Sequence, residues 1–71
     1  MKHAKEMRRH VEAVVKALDI LDCFQHRPVL TLNEIVDLTG LTRSRVMRLT
    51  GTLESRGYLH YDSGRKYFSL G

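Results

Sequence analysis

Residues 42–56 read TRSRVMRLTGTLESR, and the fold turns on how this stretch is organised. Val46, Leu49 and Leu53 recur at the spacing of one helical face. At about 100° per residue, Ser44, Arg48 and Gly51 lie opposite them, flanked by Arg45 and Met47. Thr42 is of the type that caps a helix start, and Gly57 stops the helix after Arg56. Arginines clustered at one end of a rigid rod suit the edge of a nucleic-acid duplex. A solvated amphipathic helix whose arginines serve only solubility has the same pattern, so the flanking sequence has to decide.

Immediately upstream, Thr31 to Glu34 reads T-x-x-E, a capping box that opens a second helix. That helix turns Leu32, Ile35 and Val36 inward, and Gly40 fits the left-handed position at its end. Leu41 tucks back against the core. The two helices are then separated by Gly40-Leu41-Thr42, the spacing of a helix-turn-helix. Residues 10–26 are predicted as a first helix. Val11, Val14, Val15, Leu18, Leu21 and Phe24 form its apolar stripe, broadened by Ala17 and Ile20. The stripe exceeds what one buried face requires, and the excess is assigned to a second subunit or a further domain. Pro28 ends the helical region, because the residue before a proline disfavours helical geometry. Val29–Leu32 reads as a short extended piece that pairs with a later hairpin. Residues 1–9 lack an apolar period and read as a flexible basic arm. Its Lys2, Lys5, Arg8 and Arg9 are either solvated or within reach of phosphate.

Downstream, Tyr58–Tyr61 and Lys66–Ser69 are aromatic-rich strand candidates joined by a turn over Asp62-Ser63-Gly64-Arg65. Leu59 and Phe68 are assigned to the core. The predicted fold is mainly α with a small β-hairpin: three helices plus a two- or three-stranded antiparallel wing, over residues 10–71. Gly51 breaks the helical pattern, since an interior glycine costs roughly 1 kcal/mol relative to alanine. Either a DNA backbone approaches there too closely for a side chain, or neighbouring packing tolerates the cost.

A chain of 71 residues makes one small domain with a modest core. Its 42% hydrophobic and 28% charged content fits a folded domain rather than a disordered tail. The net charge of +4 is unevenly spread: residues 1–16 balance to +3, residues 17–42 to −3 and residues 43–71 to +4. Concentrated positive charge at both ends suits a polyanion. No apolar run approaches the roughly 20 residues a bilayer requires, and no signal core follows the basic start. No membrane association is therefore expected, and the cytoplasm is the expected location. The single cysteine, Cys23, excludes an internal disulfide and reads as a small residue at or near the core. His3, His10, His26 and His60 have no Cys or His partner at zinc-ligand spacing, so neither a metal nor a cofactor is expected.

Three segments carry a resemblance to the IclR (isocitrate lyase regulator) family of bacterial transcription factors. They are VVKALDIL at 14–21, LTLNEIVDLTGLTRSRVMRLTGTLESRGYL at 30–59 and YFSLG at 67–71. These look like the family's first-helix signature, its helix-turn-helix with the "TLExRGYL" ending, and its closing wing strand. Thr50-Gly51 stands where the family usually has a bulkier pair, and Met47 where a polar residue is common. The resemblance implies a winged-helix DNA-binding domain at the N-terminus of a regulator that works as a homodimer. It also implies a linker helix and an effector-binding domain that this chain does not contain. On that reading the chain is an isolated DNA-binding domain from a longer regulator.

With double-stranded DNA as partner, helix 42–56 enters the major groove and its N-terminal part meets base edges. This selects Arg43, Ser44, Arg45 and Arg48. Arg48 and Arg45 are the first choices for bonding both guanine acceptors at once. Arg43 holds either a base or a phosphate, as does the short Ser44. Met47 touches a thymine methyl or is simply an exposed, flexible apolar side chain. Thr31 and Thr42 cap helix starts and add phosphate contacts. Wing residues 61–67 bring Arg65 to a narrow minor groove and Lys66 to the backbone. The alternative function is a winged-helix module that docks a protein, which predicts apolar rather than cationic residues on the third helix. An enzyme is not expected: the sequence has no paired acid–base cluster, no nucleophile with a histidine nearby and no glycine-rich phosphate loop.

Overall fold

Local chemistry sets both ends of the second and third helices. The computed structural model describes residues 10–71, and the basic arm expected at 1–9 lies outside them. Helix α1 spans Glu12–Asp22, α2 spans Leu32–Thr39 and α3 spans Arg43–Ser55. Strands β1, Leu59–Asp62, and β2, Tyr67–Leu70, pair antiparallel with Leu59 opposite Leu70 and Tyr61 opposite Phe68. This is a winged helix-turn-helix, mainly helical, with a two-stranded wing. No helix among the described residues is long and apolar enough to cross a membrane.

The capping box at α2 is complete. The Glu34 amide donates to Thr31 Oγ1 at 3.2 Å, and the Thr31 amide donates to Glu34 Oε1 at 2.8 Å. Gly40 ends α2 at φ +74°, and Thr42 caps α3 by accepting from the Arg45 amide at 3.2 Å. At the far end of α3 the Gly57 amide donates to Glu54 O and the Tyr58 amide to Leu53 O. Gly57 is left-handed at φ +85°. This pair of bonds is a Schellman motif, and it satisfies carbonyls the helix leaves open.

Three expectations are corrected. The first α-helix is shorter than residues 10–26: it starts at Glu12, without a side-chain cap, and tightens into a 3₁₀ turn over Cys23–Gln25. The strands fall one residue later than expected. Tyr58 is engaged in closing α3, and Lys66 adopts a left-handed φ of 62° to close the wing turn, its amide donating to Asp62 O. The extended piece before α2 pairs through Leu30 alone, whose amide and carbonyl bond Phe68 at 3.0 and 2.7 Å. The next bonding positions of an antiparallel ladder lie two residues to either side: Pro28 has no N–H to donate and Leu32 already begins α2, so the pairing has no room to lengthen.

Every element contributes to the core: Ile20 and Phe24, Leu30, Ile35, Val46 and Leu53, and Leu59 and Phe68. The expected stripe of the first helix divides. Ile20 is fully buried, whereas Val11, Val14 and Leu18 are more than half exposed. On α3, Thr50 rather than Leu49 joins Val46 and Leu53 in the interior, at 2% exposure. Its hydroxyl donates to Val46 O at 2.7 Å, so burial leaves no polar group unsatisfied.

Candidate nucleic-acid interface

Burial of Val46, Thr50 and Leu53 fixes how α3 is rotated, and the outward positions follow. Ser44, Arg48 and Gly51 lie on the exposed side, with Met47 beside them at 55% exposure. Arg48 has no ion-pair partner among the described residues. Its charge is therefore available to a ligand.

The other two arginines of α3 are tied to neighbouring helices. Arg43 donates through Nη1 to Asn33 Oδ1 on α2. Arg45 leans toward α1, where Nη1 lies 3.9 Å from Glu12 Oε2 and the side chain is about two-thirds covered. Of the two arginines expected first for guanine contact, Arg48 projects from the ridge and Arg45 sits on its flank. The Arg45–Glu12 contact is long and Glu12 is largely exposed, so it is worth less than about 1 kcal/mol and yields readily.

The wing adds two cations. Asp62 Oδ1 accepts from the amides of Gly64 and Arg65, both at 3.0 Å, which folds the tip as an Asx turn. Arg65 is exposed and donates to the Tyr67 hydroxyl at 3.4 Å. Lys66 is exposed and lines a cavity with Thr31 and Arg43. The site residues thus form two groups. Ser44, Met47 and Arg48 make the ridge, while Thr31, Arg43 and Lys66 border the seam between the helices and the wing. Thr42 remains at the start of α3 as its cap, and Arg65 stands apart at the wing tip.

Sequence reasoning missed Asn33, which steadies Arg43, and Glu12, which draws Arg45 aside. Neither has a linear signal, because each partnership joins residues from different helices. Tyr61 was expected only as a residue of the wing; its ring stacks at a tilt on Phe68 with centroids 4.7 Å apart, and it also lines the seam with Thr31, Arg43 and Lys66.

The IclR helix-turn-helix domain, as a family model, matches residues 13–63. The HTH-type transcriptional regulator KipR of Bacillus subtilis is 42% identical over 65 residues, 92% of this chain and 26% of that protein. The HTH-type transcriptional regulator TsaQ1/TsaQ2 of Comamonas testosteroni is 39% identical over 61 residues, 86% of this chain and 22% of that protein. Among solved structures, an IclR family transcriptional regulator from Brucella abortus superposes with a TM-score of 0.84 at 36% identity, covering 96% of this chain and 26% of that one. The chain therefore spans about a quarter of the length of the relatives it matches.

Proposed function

The chain belongs to the IclR family of helix-turn-helix domains, and from that premise we propose that it binds double-stranded DNA in a sequence-specific manner as the DNA-binding domain of a transcriptional regulator. Helix α3 enters the major groove, and the wing lies on the backbone or in the adjacent minor groove. The observation that carries this reading is the outward ridge of α3, where Arg48 stands exposed between Ser44 and Gly51. Arg48 reads a guanine through its two acceptors, with Ser44 and Met47 contacting neighbouring base edges. Arg45 serves the flanking backbone. Thr31, Thr42, Arg43 and Lys66 hold phosphates, and Arg65 enters the minor groove.

The regulator acts as a homodimer in the cytoplasm. Support for pairing comes from α1 and its N-cap, where Val11, Val14 and Leu18 remain exposed and Val14 and Leu18 line an apolar cavity with Leu49 and Tyr58. A pair of domains on a palindromic site also compensates for the weak binding of one small domain. A protein-docking role for α3 is disfavoured by its exposed cation, and a catalytic role by the regulators to which the chain is similar.

Selection of binding sites from random duplexes tests the proposal. Enrichment of a guanine-containing half-site, with log affinity falling by about 3.6 per log unit of salt for four neutralised phosphates, is the expected outcome. Absence of enrichment together with no mobility shift at low salt refutes it.

A further inference from the structure

Two cavities adjoin along the seam between the helices and the wing. One, of ≈ 340 Å³, is lined by Thr31, Leu32, Asn33, Arg43, Tyr61 and Lys66. The other, of ≈ 300 Å³, shares Leu32 and Tyr61 and continues past Met47 and Gly51 toward Glu54. The shared walls place the two end to end, with both cations in the first and the only carboxylate lining either in the second.

The cationic end is assembled from three segments distant in sequence. Arg43 comes from the first turn of α3 and is steadied by Asn33 of α2. Lys66 comes from the wing turn and is held at φ 62°, the one non-glycine residue with a positive φ among those described. Such a backbone costs energy and recurs at functional positions. Thr31 Oγ1 accepts the Glu34 amide, so its proton is free to donate outward. The nearby Glu34 carboxylate is engaged by Arg27 at 2.6 Å and by the Thr31 amide, which limits its repulsion of an anion.

We propose that Arg43, Lys66 and the Thr31 hydroxyl converge on a single phosphate of the DNA backbone, and that the strand bearing it runs on over Gly51 between the recognition helix and the wing. This rests on the DNA-binding reading above and assigns one phosphate to cations that could otherwise serve separate ones. A strand dividing the major from the minor groove has to pass between an element in one and an element in the other. The seam is that passage. A Cβ built on Gly51 meets nothing within 4 Å, so the protein itself does not need the space above it.

The test is a methylphosphonate scan of a selected duplex, neutralising one phosphate at a time, with the wild type, Arg43→Gln, Lys66→Gln and the double variant. Both side chains are exposed, and thermal melts establish that the variants fold. The expected result is one position at which neutralisation weakens the wild type about ten-fold. Both single variants lose sensitivity at that same position, and the double variant is indifferent to it. The salt slope of the double variant falls by about 0.9, the contribution of one phosphate, rather than about 1.8. Loss of sensitivity at two different phosphates, no loss at any, or a slope change near 1.8 overturns the shared seat while leaving DNA binding intact. A wild type that binds no duplex overturns the seat and the reading beneath it together.

Discussion

Replacing Gly51 with alanine separates the protein's own needs from those of its ligand. Gly51 lies inside α3 with helical backbone geometry and is exposed, and an added methyl group meets no atom within 4 Å. Nothing in the fold opposes a side chain there. Glycine in a helix interior costs about 0.8–1.0 kcal/mol relative to alanine, largely through the entropy of the unfolded chain. Gly51→Ala is therefore expected to stabilise the domain by about 0.8 kcal/mol, which raises the melting temperature of a domain this size by about 3–6 °C. The same methyl group occupies the space over which the DNA strand is proposed to pass. Affinity for a selected duplex is accordingly expected to fall while stability rises, with a larger fall for Gly51→Leu. Thermal melts by circular dichroism and fluorescence anisotropy titrations at fixed salt measure the two effects. A melting temperature that stays level or drops refutes the structural argument for an unhindered helical site. A higher melting temperature with unchanged affinity for both variants shows that the ligand does not approach the helix at this position.

Three further outcomes are expected. Arg48→Ala removes the guanine contact proposed above, so discrimination at one base pair should fall by about 1–3 kcal/mol while binding to random duplex changes little; equal losses on both in competition titrations would remove Arg48 from the base-reading role. The Glu34 carboxyl is held below its ordinary value of 4.5, chiefly by the Thr31 amide and then by Arg27. Its contribution is thus complete above that value and disappears as the pH falls through the lowered folded-state pKa. Melting curves below pH 4.5 should show Glu34→Gln less acid-sensitive than the wild type, and parallel acid limbs would contradict this. Burial, followed by Asp19 and Asp22, raises the Cys23 thiol above its ordinary 9.0, so alkylation at mildly alkaline pH should be slow in the folded domain and accelerate in denaturant. Equal rates in both states would count against that environment.

The turn between the two motif helices was legible because its determinants are local. Thr31 with Glu34, Gly40, Thr42 and Gly57 each satisfy backbone groups within a few residues, so residue type and spacing suffice to place them. The core assignments of Leu59 and Phe68 were legible for a related reason: each is a large apolar residue in a strand only four residues long, and both are buried. Helix α1 was less legible. Ile20, Val14 and Leu18 all belong to one broad apolar stripe, and periodicity cannot say which part of it the other helices cover.

The linear chain by itself determined the order of elements, the helix caps, the wing and the cationic character of α3, because these depend on neighbours in sequence. Only the tertiary structure decided how that charge is shared out. Arg48 is left on an open ridge, Arg45 leans toward Glu12, and Arg43 is held by Asn33 beside Lys66. A side chain's partner is set by which helix packs across from it, and the rotation of α3 is set by Val46, Thr50 and Leu53 entering the core. Thr50 is the sharpest case. Its hydroxyl marks it as polar in a sequence, but the helix beneath it supplies a carbonyl acceptor, and the folded chain can bury it.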